Sequence, residues 1–328
     1  LQTRKIAGSA LSPKIRNSLI GVAVLALAIF SKVIMPTGKP HVVVRAERLF
    51  GPESFPFTNA LLLTLIVDVV LILLAFAATK NLQLIPRGFQ NMMEWLIESL
   101  YNTFREINRE NVDRAFPLVG TIFFFVLFSN WLGLIPGVGS IGLCMVEETK
   151  HQGATIEFHL AASHPVAGWI PAKAQTETKE GPQTCPEGKV FVPFFRSPSA
   201  DLNVTFALAL IVFCYIEYLG FQALGIGYLG KFFNFKEGFM GFVVGLLELI
   251  SEFARILAFA FRLFGNIFAG EVVLVVMAFL IPLALPLPFY FFEVFVGLIQ
   301  AFVFAVLTMA FISLAVTAHG GGHNEAHH

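Results

Sequence analysis

Residues 248–271 read ELISEFARILAFAFRLFGNIFAGE, and this otherwise apolar stretch holds Glu248, Glu252, Arg255, Arg262, Asn266 and Glu271. A charge at bilayer depth costs about 3 kcal/mol by insertion scales and on the order of 10 or more by simulation, so such residues line a water-filled path or meet a partner. Helical spacing sorts them. Glu248, Arg255 and Arg262 recur every seven residues and share a face, and Asn266, four beyond Arg262, joins it. Glu271 is nine residues beyond Arg262, and at about 100° per residue it points to the opposite side. One helix thus presents a cation on one face and an acid on the other. A guanidinium stays protonated in proteins. Arg262 is therefore a fixed charge, not a proton carrier, and its chemistry is to stabilise the ionised form of an acid brought near it. We expect that acid to come from another chain.

A second set of polar residues lies across a breaker. Residues 282–288 hold Pro282, Pro286 and Pro288 and predict a turn between two helices. In the resulting antiparallel hairpin, Arg262 and Gln300 stand nearly equidistant from Pro282, as do Glu271 and Glu293. Gln300 is a candidate hydrogen-bond partner for Arg262, and Glu271 with Glu293 a candidate carboxylate pair. Interhelical polar glue is the alternative for each of them, and for Glu248 and Glu252.

The elements that must position these residues are membrane helices. Hydrophobic residues make up 56% of the 328, charged residues only 13%, and the formal net charge is zero, against about 25% charge in an average soluble domain. This composition predicts an all-α polytopic protein in a lipid bilayer, with no nucleic-acid footprint. Spans of lipid length fall at 19–35, 59–79, 116–134, 201–221, 241–281 and 288–316, about six in all. The first reads as a signal peptide, since Ala26-Leu27-Ala28 resembles a cleavage site, or as a retained extra helix, the reading adopted here. The chain begins with Leu1 and not Met, so residues ahead of it are expected. Residues 88–108 mix Phe89, Met92, Trp95 and Leu96 with Glu94, Glu98 and Arg105, the pattern of an amphipathic helix on the cytoplasmic surface or of a small soluble hairpin.

All Lys and Arg lie at or before Arg262, and Lys231 and Lys236 mark a cytoplasmic loop. Residues 138–200, polar and rich in Pro and Gly, are expected outside. Cys144 and Cys185 both fall there, as a possible disulfide or as two free thiols, whereas Cys214 lies in a span. Asp68 sits mid-span, either as a proton-path carboxylate or, the favoured reading, as an acid hydrogen-bonded against a neighbouring helix. Glu217 is placed to snorkel to the inner interface. The eight His all lie outside the spans, which argues against a haem site. No internal repeat marks a secondary transporter. No metal or cofactor is expected, and the four His of the tail read as a solvated end.

The run Arg262-Leu-Phe-Gly-Asn-Ile-Phe-Ala-Gly-Glu271 closely resembles the signature of subunit a of the rotary proton-driven ATP synthase, in its bacterial form, and Ser197-Pro-Ser-Ala-Asp-Leu-Asn-Val-Thr205 is similar to the family's PSADxNxT. The resemblance covers about residues 55–319, leaving residues 1–54 as an N-terminal extension with the extra helix, residues 138–200 as an outer loop insertion and residues 320–328 as a His-rich cytoplasmic tail. It implies two long tilted C-terminal helices in a hairpin against the c-ring, peripheral-stalk b subunits as further partners, and a bacterial plasma-membrane location. It implies that the chain is a non-catalytic stator, with two proton half-channels and the essential Arg262. The positions matching Glu271, Glu293, Asn266, Asn130, Ser199 and Asn203 belong to the outer inlet. Gln300 is the arginine's partner, and Glu248 with Glu252 lines the outlet. Ser199, Asp201, Asn203 and Thr205 also read as helix-capping residues.

Overall fold

The computed structural model of the chain describes residues 46–51, 56–80, 82–139, 141–146, 189–225, 227–228, 238–282 and 285–316, with the isolated positions 21 and 30. Its helices are α1 (Asn59–Thr79), α2 (Phe89–Ile107), α3 (Val112–Gly133), α4 (Leu202–Leu224), α5 (Gly238–Leu280) and α6 (Pro286–Val316). All but α2 are long and apolar enough to cross a membrane, which makes five candidate spans among the described residues. The expected helix at 19–35 and the His-rich tail lie outside the described residues.

Boundaries moved where local chemistry overrides hydropathy. The third helix starts at Val112, four residues earlier than apolarity suggests, with Asp113 suited to the helix N-terminus and Pro117 carried inside the helix. The last helix starts at Pro286, since proline fits the first position of a helix. A straight α5 of 43 residues is about 65 Å long, roughly twice the ~30 Å hydrocarbon core.

The core is the space between α3, α4, α5 and α6, filled by Phe123, Val126, Val212, Ile216, Leu263, Phe304, Met309 and Ile312. Phe259 of α5 meets Phe304 of α6 edge-on with ring centroids 4.8 Å apart, the better arrangement for two ring quadrupoles. That contact sets the hairpin register about a centre near Pro282, as the sequence predicts. The amphipathic α2 buries Leu100 and Phe104 and leaves Phe89, Met92 and Trp95 exposed. The hydroxyl of Tyr101 donates to Asp113 Oδ1 and ties α2 to α3.

The chain is not purely helical. Strand β1 (Arg48–Phe50) pairs antiparallel with β2 (Phe57–Thr58). After β3 (Pro136–Gly139), β4 (Gly142–Val146) pairs antiparallel with β5 (Lys189–Pro193), with Cys144 opposite Phe191. The alternating Lys189-Val-Phe-Val-Pro193 is a strand pattern too short to register against the surrounding polar loop. Cys144 is disulfide-bonded and Cys214 carries a free thiol, while Cys185 lies outside the described residues.

Two expectations for buried acids need correction. Among the described residues, Asp68 is not packed against a neighbouring helix. It is exposed on α1 beside Leu65, Val69 and Ile72, with no hydrogen-bond or ion-pair partner among the described residues, because α1 turns only Leu63, Val67 and its first residues inward. Glu217 does not snorkel, since its Oε1 is buried. It lies beside the buried Tyr228, whose phenol is pushed up from its ordinary value by desolvation and by the Glu217 carboxylate. The ring of Tyr228 rests directly on Gly220, where an added Cβ would come within 2.7 Å of it. We predict that Gly220→Ala lowers stability by about 1–3 kcal/mol through overpacking, read as a lower unfolding midpoint in detergent. An unchanged midpoint would mean that Tyr228 moves aside freely.

Candidate functional site

Helix α5 positions most of the polar residues, and its two sides differ sharply. Its inward side carries Ile256, Phe259, Ala260, Leu263 and Ile267 into the core. Its outward side is an apolar strip of Phe253, Leu257, Phe261, Gly265 and Ala269, and Arg262 sits within that strip, exposed. Among the described residues Arg262 has no hydrogen bond and no ion pair. A Cβ added at Gly265 would meet nothing within 4 Å, so the surface beside the guanidinium is open to close approach.

The other arginine of α5 is engaged. Arg255 donates to Glu252 Oε2 at 2.5 Å, one turn away, and its guanidinium lies 4.4 Å from the ring centroid of Phe311. Glu252 is 2% exposed, so this acid is held in a buried pair. Glu248, one turn before it, is half-buried.

At the end of the bundle where α5 turns into α6, several elements converge. Asn130 Nδ2 donates to Gly297 O at 3.1 Å, and Trp131 Nε1 to Val294 O at 3.1 Å. The Tyr290 hydroxyl donates to Leu134 O at 2.6 Å. These bonds fix the last turn of α3 against the first turns of α6. Asn266 Nδ2 donates to Gln300 Oε1 at 3.2 Å. The expected bond between Gln300 and Arg262 is therefore replaced by one between Gln300 and Asn266, the residue one turn on that faces inward. Glu293, buried, lies against Gly270, where an added Cβ would overlap its carboxyl. The expected pairing of Glu293 with Glu271 is thus displaced by one residue. Glu271 turns about 100° away from Gly270, is half-exposed, and meets Arg196 Nη2 at 3.7 Å.

Sequence reasoning missed Arg196, although it is a lone cation at the mouth of a lipid-length segment, two residues before Pro198. It also left the Glu252–Arg255 pair unnamed, despite their three-residue spacing. In the Ser197–Thr205 motif, Asp201 caps α4 by accepting from the Asn203 backbone N–H at 3.0 Å. Ser199 is buried in a short 3₁₀ turn, and Asn203 is exposed on α4, with no side-chain bond to Glu271 or Glu293.

Among the described residues, five buried polar atoms in this region have no hydrogen-bond partner: Ser129 Oγ, Asn130 Oδ1, Arg196 Nε, Glu293 Oε1 and Gln300 Nε2. A dry burial would cost about 1–3 kcal/mol for each. Water is the ordinary means of satisfying such groups, so the arrangement suits a hydrated polar path leading to Glu293. Among the described residues no three His, Cys, Asp or Glu gather as a metal site.

The packing of Glu293 on Gly270 is directly testable. Gly270→Ala is expected to displace the carboxyl from its buried seat and raise its labelling by a hydrophobic carbodiimide, measured by peptide mass spectrometry. Unaltered labelling would show that the close approach does not hold Glu293 in place.

The comparisons with known proteins agree with this architecture. Residues 61–313 match the family described as ATP synthase A chain. The chain is 32% identical over 274 residues to "ATP synthase subunit a" of Gloeobacter violaceus, covering 83% of this chain and 89% of that protein. It is 30% identical over 286 residues to "ATP synthase subunit a" of Helicobacter pylori, covering 84% of this chain and 99% of that one. With one match spanning most of the sequence and the other relatives matched nearly end to end, the chain belongs to the ATP synthase A chain family.

Proposed function

We propose that this chain is the non-catalytic, membrane-embedded stator of a rotary ATP synthase and couples proton flow to rotation of a c-ring. The observation that carries the reading is Arg262, exposed in an apolar strip of α5 with no partner among the described residues. A permanent cation at that depth is costly, and an acid on a second chain removes the cost. The ring acid supplies it. As a ring carboxyl nears Arg262 it releases its proton toward the outlet. The ionised carboxylate is held transiently by the guanidinium, then moves on and takes a proton from the inlet. Arg262 repels protons and so separates the two half-channels. Membrane potential contributes about 2.3 kcal/mol per charge per 100 mV to this cycle.

The inlet runs through the region of Asn130, Ser199, Asn266, Glu271, Glu293 and Gln300. Its orphaned buried polar atoms support a hydrated route. Asn203 contributes from the exposed face of α4. Glu248 and Glu252 serve the outlet, with Glu252 held in its pair with Arg255. The bundle sits as a multi-pass protein in a bacterial plasma membrane, with residues 138–200 outside and the C-terminus in the cytoplasm. Residues 1–54 add a further helix, residues 55–319 form the core, and b subunits of the peripheral stalk bind the assembly.

Arg262→Ala is expected to abolish ATP-driven proton pumping in reconstituted vesicles, with passive proton leak persisting or rising. Arg262→Lys should retain little coupled pumping, because an ammonium lacks the planar fork and can lose its proton when buried. Normal pumping by fully assembled Arg262→Ala complexes would overturn the mechanism. In the outer loop, we pair the bonded Cys144 with Cys185. Mass spectrometry of the unreduced protein should recover the two peptides linked, and two alkylatable thiols would refute that pairing.

A further inference from the structure

Arg196 is an unusual residue to find inside this bundle. It belongs to no helix, follows β5 and stands two residues before the 3₁₀ turn Pro198–Ala200. It is nonetheless only 7% exposed. Burying a guanidinium is costly unless carboxylates and acceptors surround it, so a buried arginine in a connecting segment marks a place where the charge is wanted.

The neighbourhood shows what holds it there. The next residue, Ser197, donates from Oγ to Ser129 O at 3.4 Å, and an added Cβ at Gly133 would come within 2.6 Å of its side chain. The segment is thus pressed against the last turns of α3 while the 3₁₀ turn packs on α5. From this wedge Nη2 of Arg196 reaches Glu271 Oε2 at 3.7 Å. On the adjoining face of α6, Glu293 Oε1 is buried with no hydrogen-bond partner among the described residues. Glu271 follows Gly270 directly, and Gly270 is the residue on which the Glu293 carboxyl rests. A single cation therefore stands where the outer connection, α5 and the two inlet carboxylates approach one another.

We propose that Arg196 is a positioning residue of the proton inlet: its buried guanidinium holds the Glu271 carboxylate at the edge of α5 and keeps it apart from Glu293, so that the two acids act in succession along the path. The inference rests on the inlet reading given above and adds to it a second fixed cation, supplied by the connection into α4. Without Arg196, Glu271 has two poor options, to swing into the open face of α5 or to crowd Glu293. Either one breaks the order of proton transfer without touching Arg262.

The test uses the intact complex reconstituted in vesicles, with ATP-driven proton pumping as the rate. Arg196→Gln is expected to lower pumping about tenfold, as for the loss of a contact worth on the order of one pKa unit of interaction, with the chain present in the membrane at normal amounts. Arg196→Lys, which keeps the charge, is expected to recover part of the rate. Glu271→Asp shortens the acid by one methylene and breaks the same contact, so the double variant Arg196→Gln with Glu271→Asp is expected to be no slower than the slower single variant. Losses that multiply would show that Arg196 acts elsewhere and would overturn the proposal, as would a normal rate in Arg196→Gln. Should Arg196→Gln fail to enter the membrane, Arg196→Lys combined with Glu271→Asp decides by the same criterion. Glu271→Gln at the wild-type rate would remove the inlet reading itself. A slow Glu271→Gln beside a normal Arg196→Gln would remove this inference alone.

Discussion

The constraint on which the rest of the structure depends is the cost of a permanent charge in a low-dielectric layer. Two solutions to it appear within a few turns of the same helix. Arg255 is neutralised at home, by Glu252 one turn away and by the face of Phe311. Arg262 is left on the outer strip with nothing to meet among the described residues. The difference is a matter of helical phase. Three residues separate Arg255 from an acid on the same side, whereas the acids nearest Arg262 in sequence, Arg255's own partner and Glu271, fall on other sides of α5. The helix thus spends one cation on its own cohesion and leaves the other on its outer strip.

Around that constraint the hairpin is built to tight tolerance. The ring contact between Phe259 and Phe304 fixes the register. Gly270 then lets the Glu293 carboxyl lie against the backbone of α5, and Gly297 gives Asn130 the same close access to α6. In both places a glycine admits a polar group between helices where any side chain would fill the space. The polar region is consequently defined by small residues as much as by the acids themselves, and the bonds from Trp131 and Tyr290 keep α3 from sliding along it.

Much of this was legible in the sequence. Hydropathy placed five spans, the proline cluster placed the turn, and the spacing of charges singled out Arg262. Across the hairpin the expected partners were displaced: Gln300 meets Asn266, four residues and one turn from Arg262, and Glu293 lies on Gly270, one residue from Glu271. An offset of one residue is about 100° on a helix, more than a pattern of positions can resolve. Arg196 escaped notice for a different reason. Its partner is some seventy residues away, and its burial depends on how a connecting segment folds back on the bundle, which no local periodicity reports. Asp68 was misjudged because apolar runs do not say which side of a helix is covered, and among the described residues α1 is covered on only one.

The pairing of β4 with β5 has a bearing on how such a protein can vary. The ladder joins Gly142 to Pro193 and Val146 to Lys189, so the two strands act as a clasp that brings the chain back beside its point of departure. The entropy of closing a loop rises only with the logarithm of its length, about 0.6 kcal/mol for each doubling. Residues can therefore be gained or lost beyond the clasp at almost no thermodynamic expense, and without shifting α3 or α4. The length of chain between the two strands is thus decoupled from the spacing of the helices.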